Sequence, residues 1–406
     1  MVKRVRPLYD VNKDVLLVGT YSSLNKGDRL MQQVVAQQLS KVSGDISVTL
    51  AAPFPEIDAN NYSNLSVVKS RRRNLPVSFA KLFFLLLLPP VLRKKYAWRD
   101  TELSQFMRAS LIVDTSGDML TEDYGVIVAV SHLFPLVFSV LLGKKLVILA
   151  QSVGPFNYLK SLFIKVFSKA VVVTLRDQIS YDYLKGLGLD NIESVSDLGF
   201  LMNSEANDYP VGGDKNEGQL VIGFCPSSLL LKKFSGQLQG DSVEQMCARL
   251  KEFSETFDCV FELIPHVMTP SGKLDDDVLC ADMASLIGAN CRVLPADFSP
   301  AEIKYAVSQM DALVSFRMHG AIAGLDSDIP TIAVSYSHKT IGLFEKLGLQ
   351  EWVVSNDLNM LDELFTKLPL LLDRRATISA QLESVLPDIR KSAYRNIEIL
   401  KREVCV

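Results

Sequence analysis

Short apolar runs alternate with longer amphipathic stretches along this chain. DVLLVG (14–19) is followed by a loop and then by DRLMQQVVAQQL (28–39), whose apolar positions recur at helical spacing. ISVTLAA (46–52), LIVDTSG (111–117), KLVILAQSVGP (145–155) and AVVVTLRD (170–177) come next. Continuous apolar runs of this length predict strands covered on both faces, as in parallel sheets. YPVGGDKNEGQ (209–219) is polar and Gly-rich and predicts a linker. A second series then starts, with LVIGFCP (220–226), VFELIPH (260–266), CRVLP (291–295), ALVSF (312–316) and TIAVSY (331–336). The residues after 357 carry a helical pattern and no strand signal.

Strands alternating with helices place the chain in the α/β class. Two such series predict two Rossmann-like doubly wound domains facing a cleft. Their expected extents are 1–208 and 220–370, joined by the linker 209–219 and followed by a helical segment, 371–406. The length of 406 residues accommodates two to three domains of roughly 150 residues each.

Composition narrows the class. The chain is 48% hydrophobic and 22% charged with a formal net charge of −3, so no overall basic field points to nucleic acid. The six cysteines form no CxxC pair and read as buried, reduced thiols of a cytoplasmic protein. Cys and His are scattered rather than clustered, and no metal site is expected. The basic start MVKRVRPLYDVNKD is followed by no long apolar region, so no signal peptide is expected. LFFLLLLPPVL (82–92) is too short to span a bilayer, which takes about 20 residues. VIVAVSHLFPLVFSVLL (126–142) contains Ser131, His132 and Pro135 and leads into a strand, so it reads as a buried helix.

In open α/β sheets ligands bind beyond the carboxyl ends of the strands, and the polar motifs fall there. YSSLNKGDRL (21–30) brings Asn25, Gly27 and Asp28 to a helix start, as an anion site or as a simple cap and turn. It is not GxGxxG, so a dinucleotide site is not supported. In QSVGPF (151–156), Gly154 marks a turn. TLRDQIS (174–180) offers Arg176 and Asp177, for a ligand or for each other and a helix cap. Asp197 in SVSDLGF reads as structural, His266 as a polar residue at a strand tip, and Asp275, Asp276 and Asp277 as the acidic first turn of a helix. VSFRMHGA (314–321) is the strongest candidate. Arg317 and His319 stand two apart, on one side if strand geometry persists, and Gly320 and Ala321 open a helix. The next strand ends in SYSHK, adding His338 and Lys339. A guanidinium, an imidazole and free N–H groups together suit an anionic substrate that needs proton transfer.

N-x-G-D (25–28), S-V-G-P (152–155), L-R-D (175–177), R-M-H-G-A (317–321) and I-P-T-I-A-V-S-Y-S-H-K (329–339), in that order, resemble the polysaccharide pyruvyl transferase family over roughly residues 14–350. The resemblance implies a two-domain architecture like that of GT-B glycosyltransferases. It implies a reaction in which the pyruvyl group of phosphoenolpyruvate (PEP) becomes a cyclic ketal on two hydroxyls of a sugar in a cell-surface polysaccharide or its precursor. The chain departs from the family in two loops. DTSGDML (114–120) keeps only Gly117 of a G-G-G, and AQSVGP replaces G-Q-G before Gly-Pro. Acceptor choice, more than donor chemistry, is where it should differ.

PEP carries roughly −2.5 to −3, because a phosphate monoester alone contributes about −1.5 to −2. Under the resemblance, Arg317 grips a carboxylate or phosphate, Lys339 adds a point charge, and His319 protonates the methylene carbon or shuttles the proton afterwards. Asp28, from the opposite domain, orients or deprotonates the acceptor hydroxyl. Asn25, Gly27, Gly154, Arg176, His266 and His338 complete the candidate substrate-binding set. The first domain is expected on the acceptor side and the second on the PEP side, with no cofactor and no metal.

Lys69, Arg71, Arg72, Arg73, Lys81, Arg93, Lys94, Lys95 and Arg99 flank the apolar 82–92 run. The segment fits either peripheral contact with an anionic membrane, where lipid-linked sugars lie, or a core helix with solvated basic ends. Two other functions fit the same fold. One is a nucleotide-sugar glycosyltransferase, although no glutamate pair spaced as in retaining enzymes follows Pro330. The other is a non-catalytic saccharide- or anion-binding protein.

Overall fold

The computed structural model describes residues 13–70, 75–97, 101–213, 215–235, 242–273, 275–335 and 338–405. Among these, β1 (Asp14–Val18), β2 (Ser47–Ala52), β3 (Ser66–Lys69), β4 (Leu111–Asp114), β5 (Lys145–Gln151), β6 (Val172–Leu175) and β7 (Ile192–Ser194) form one parallel sheet, ordered β3-β2-β1-β4-β5-β6-β7. β8 (Leu220–Cys225), β9 (Cys259–Leu263), β10 (Cys291–Val293), β11 (Ala312–Ser315), β12 (Thr331–Ser335) and β13 (Val353–Ser355) form a second, ordered β10-β9-β8-β11-β12-β13. Each order reverses direction beside its first strand, the signature of a doubly wound sheet.

Strand alternation splits each sheet's residues between two cores. Val15 and Leu17 enter one core, and Leu16 and Val18 the other. Ile222 and Phe224 face one side of the second sheet, Val221 and Cys225 the other. Helices cover both faces, which is why the central strands β1, β4, β8 and β11 are buried along nearly their whole length and mostly apolar.

The helix Arg375–Cys405 joins the two halves. Its first half buries Ile378, Leu382 and Leu386 in the second sheet's core, and its last turns bury Ile397, Leu400 and Val404 in the first sheet's core. Buried Asn396 fixes the crossing, donating to the Ser196 carbonyl (3.1 Å) and accepting from Thr174 Oγ1 (2.7 Å).

The 126–142 run forms the helix Val126–Leu141, with His132 and Pro135 buried. Among the described residues no helix is long and apolar enough to cross a membrane. The 82–92 run falls in two helices, Leu75–Leu87 and Pro90–Ala97. The cysteine expectation needs correction: Cys225, Cys247, Cys259 and Cys280 are buried free thiols, but Cys291 is half-buried and Cys405 is exposed.

Candidate active site

The two places where strand order reverses, between β1 and β4 and between β8 and β11, face each other across the cleft. The loops leaving these strands enclose a cavity of about 330 Å³. Asn25, Asp28, Gly117, Asp118 and Arg176 line it from the first half, and His266, Arg317, His319 and Lys339 from the second.

Main-chain pairing holds the halves together at this point. Asn25 bridges Val267 in antiparallel fashion, the Lys26 N–H donates to the His266 carbonyl (3.1 Å), and the Met268 N–H donates to the Leu24 carbonyl (3.2 Å). Lys26 is buried, and its Nζ donates to the Ala296 carbonyl (3.0 Å). Burial, with Arg29 nearby, pulls its ammonium pKa down to about 8. Asn25 caps the helix Lys26–Ser40 by accepting from the Gly27 N–H (3.0 Å). Asp28 closes the loop on itself, accepting from Thr20 Oγ1 (3.3 Å), the Tyr21 N–H (3.1 Å) and Asn25 Nδ2 (3.3 Å). The cap reading and the cleft reading of this loop therefore coexist.

Arg317 and His319 do reach one cavity, but not by strand alternation. β11 ends at Ser315, Arg317 is the extended N-cap (φ −114°, ψ 124°), and His319 already lies inside the helix Met318–Leu325, two residues before the expected start. Arg317 grips Asp276 with two bonds, Nε to Oδ2 (3.0 Å) and Nη2 to Oδ1 (2.6 Å). Asp276 is fully buried and also accepts from the Ser228 N–H (3.1 Å) and the Val267 N–H (2.8 Å). It therefore does more than decorate a helix start. With Nε and Nη2 so committed, the Nη1 side of Arg317 makes no hydrogen bond among the described residues and is the edge left for an anion.

Arg176 does not pair with Asp177, which caps its own helix by accepting from the Ser180 N–H (2.8 Å). Its Nη1 instead donates to Asp197 Oδ2 (2.7 Å) and its Nε to Ser152 Oγ (2.9 Å). Gly117 lies against the same guanidinium, with φ +73°. Asp197 also approaches His319, its Oδ1 3.5 Å from Nε2. Burial disfavours the Asp197 charge, yet His319, Arg176 and the Gly199 N–H together hold its pKa well below the usual carboxylate range. Asp197 has the structural role the sequence suggests, capping the turn at Leu198–Leu201 by accepting from the Gly199 N–H (2.7 Å), and it also sits beside the imidazole.

The opposite edge of the His319 ring rests on Gly27, where a Cβ would come within 2.4 Å of Nδ1. His266 lies beyond the tip of β9, buried, and burial plus neighbouring cations push its pKa well down, so its ring is neutral near pH 7. His266 Nδ1 has no hydrogen-bond partner among the described residues, and His319 Nε2 has only the Asp197 carboxylate, at 3.5 Å. Buried polar atoms are normally paired, so the unpaired His266 Nδ1 on this cavity suits a polar ligand. Lys339 contacts Asp118 directly. Burial lowers the Lys339 pKa to about 8.

Gly154 is not brought to the cavity; at φ +76° it packs against the Tyr183 ring. His338 opens the helix His338–Lys346, and its side chain lies outside the described residues. The sequence reading missed Asp118, Asp197, Asp276 and Tyr124. Asp118 stands in the loop that departs from the family pattern. Tyr124, which donates to Asp118 Oδ2 (2.9 Å), carries no sequence signal.

Residues 25–338 match the sequence profile of the family Polysaccharide pyruvyl transferase. The chain is 22% identical over 409 residues to the amylovoran biosynthesis protein AmsJ of Erwinia amylovora, covering 91% of this chain and 94% of that protein. Its fold is similar to that of a Listeria monocytogenes protein assigned as a UDP-N-acetylglucosamine 2-epimerase, with TM-score 0.62, 9% identity and coverage of 95% and 94%. It is also similar to the calicheamicin glycosyltransferase CalG4, with TM-score 0.51, 11% identity and coverage of 97% and 98%. The fold is therefore GT-B-like. With the profile spanning most of the chain, and with the R-x-H and N-x-G-D motifs meeting in one cavity, the protein belongs to the polysaccharide pyruvyl transferase family.

Proposed function

We propose that the cleft binds phosphoenolpyruvate and transfers its pyruvyl group, as a ketal, to two hydroxyls of a saccharide. The observation that carries this reading is the placement of Arg317 and His319 side by side on one cavity, each backed by a buried carboxylate.

Each role follows from local geometry. Arg317, fixed by Asp276, offers its Nη1 edge to the carboxylate or phosphate of the donor. Lys339 and Arg176 add positive charge on the same cavity. His319 protonates the PEP methylene carbon, and Asp197 beside it orients the imidazole. The resulting oxocarbenium-like carbon is attacked by one sugar hydroxyl, whose proton restores His319. The second hydroxyl then displaces phosphate, which departs with that hydroxyl's proton, and the ring closes on a carbon bearing a new methyl group. Asp28 borders the acceptor side. Its oxygens already accept three hydrogen bonds, which favours orienting a hydroxyl over removing its proton.

The test is incubation of the protein with PEP and a panel of sugars in D2O. The reading predicts acceptor-dependent phosphate release together with a ketal methyl group that has gained one deuteron. Phosphate release without a ketal, or ketal formation from pyruvate instead of PEP, contradicts it.

A further inference from the structure

The helices Leu75–Leu87 and Pro90–Ala97 bury one side and present another apolar side outward. Leu82 and Leu85 enter the core of the first sheet, and Phe79 meets Phe134 edge-on at 4.7 Å. Phe83 and Leu87, one helical turn apart, are 66% and 67% exposed. Phe84 and Leu92 are exposed as well. A single exposed apolar side chain is ordinary, but four large ones on two consecutive helices make a patch that marks an interaction surface.

The charge around the patch indicates what it meets. Residues 69–99 contain nine Lys and Arg and no Asp or Glu, in a chain whose net charge is −3. Lys95 is exposed and Lys81 half-exposed on the same two helices. Arg93 donates Nε to the Leu88 carbonyl and Nη2 to the Leu86 carbonyl, each at 2.8 Å, so its charge sits at the end of the first helix. Two copies of so uniformly basic a segment repel one another, which argues against self-association through this face. An acyl boundary topped by anionic headgroups satisfies both the apolar side chains and the basic rim.

The patch also connects to the cleft. Tyr124 lines the cavity, and three residues later Ile127, in the first turn of the helix Val126–Leu141, is 82% exposed. Phe134, which packs on Phe79, lies seven residues further along that helix, roughly 10 Å at the usual rise.

We infer that the face formed by Leu75–Leu87 and Pro90–Ala97 docks the protein on an anionic bilayer surface, with the cleft mouth on the same flank. This does not depend on which reaction the cleft performs. The helices are too short to span; the side chains enter only the interfacial layer.

The test is flotation of the full chain with phosphatidylcholine vesicles, with and without phosphatidylglycerol, across a salt series. The wild type should float with the anionic vesicles and release as salt rises. Phe83→Ser/Leu87→Ser should abolish flotation. Lys81→Gln/Lys95→Gln should lower the partition coefficient by about thirtyfold, at roughly one decade or less per charge removed. Phe83→Ser/Leu87→Ser should retain wild-type far-UV circular dichroism and thermal midpoint, since both side chains face outward, and the Lys81→Gln/Lys95→Gln variant is compared at matched circular dichroism. Wild-type protein that stays soluble with anionic vesicles at low salt overturns the inference. So does equal flotation on neutral vesicles. So does a dimer in analytical ultracentrifugation that Phe83→Ser/Leu87→Ser converts to monomer while vesicle binding is absent.

Discussion

The Nδ1 edge of the His319 ring abuts the glycine at position 27, which belongs to the opposite half of the molecule: a Cβ there would stand 2.4 Å from Nδ1. This contact joins the two motifs that were most informative in the sequence. It explains the glycine without any appeal to backbone freedom, because Gly27 lies inside an ordinary helix, Lys26–Ser40.

Gly27→Ala must therefore displace the imidazole or part the halves. A shift near 1 Å at a reacting group costs on the order of a hundredfold in rate. PEP turnover should fall by about that factor, and the helix propensity that Gly27→Ala adds should offset only part of an overpacking cost of about 1–3 kcal/mol. Wild-type kcat/KM in this variant would show that the contact has no bearing on function.

Asp197 sits between Arg176 and His319 and is buried. Its folded pKa is depressed, so its contribution to stability is complete above the unfolded carboxylate value of about 4 and is lost as pH falls through the folded value. Asp197→Asn should lose about 3–5 kcal/mol near pH 7, because it leaves a buried guanidinium without its counter-charge. The gap between wild type and variant should narrow below about pH 4. Urea unfolding at several pH values measures both, and a gap that stays constant with pH would contradict the ion-pair account.

Burial lowers the Lys339 pKa to about 8, and below that pH the residue is a cation. As pH rises through that value the charge available to the donor disappears. The kcat/KM for PEP, which reports free-enzyme groups, should fall above about pH 8. Lys339→Arg, which cannot titrate in this range, should extend the plateau upward. An unchanged high-pH limb in Lys339→Arg would assign the titration to another group, Lys26 being the first to examine.

Asp276→Ala should raise KM for PEP more than it lowers kcat. Arg317 then loses the two bonds that aim its free edge, while His319 keeps its own support from Asp197. A fall in kcat with KM unchanged would mean that Arg317 acts only in the transition state.

The fold was legible where strands are central and continuously apolar, as in LVIGFC of β8 or ALVS of β11. Three edge strands gave no such signal. β3, β7 and β13 have only three or four residues, and their side chains are largely half-buried or exposed, so no apolar run marks them. Arg317, His319 and Lys339 were legible because they cluster just after strand ends, with His319 one of only four histidines. Asp197 and Asp276 were not. An aspartate near a helix start looks the same whether it caps that helix or holds an arginine 41 residues away. The turn residue Gly154 went the other way: its need for φ +76° beside Tyr183 is local geometry, which the sequence motif could not separate from substrate contact.

The central claim is that Arg317 and His319 form the centre of a PEP-dependent transfer. Phosphate release from PEP, measured with and without saccharide acceptors for wild type and His319→Ala together, tests it most directly. The account predicts release only with an acceptor, reduced by about 10²–10⁴-fold in His319→Ala, with PEP binding retained through Arg317 and Lys339. Full acceptor-dependent release by His319→Ala, or turnover of a UDP-sugar in place of PEP by the wild type, would contradict it.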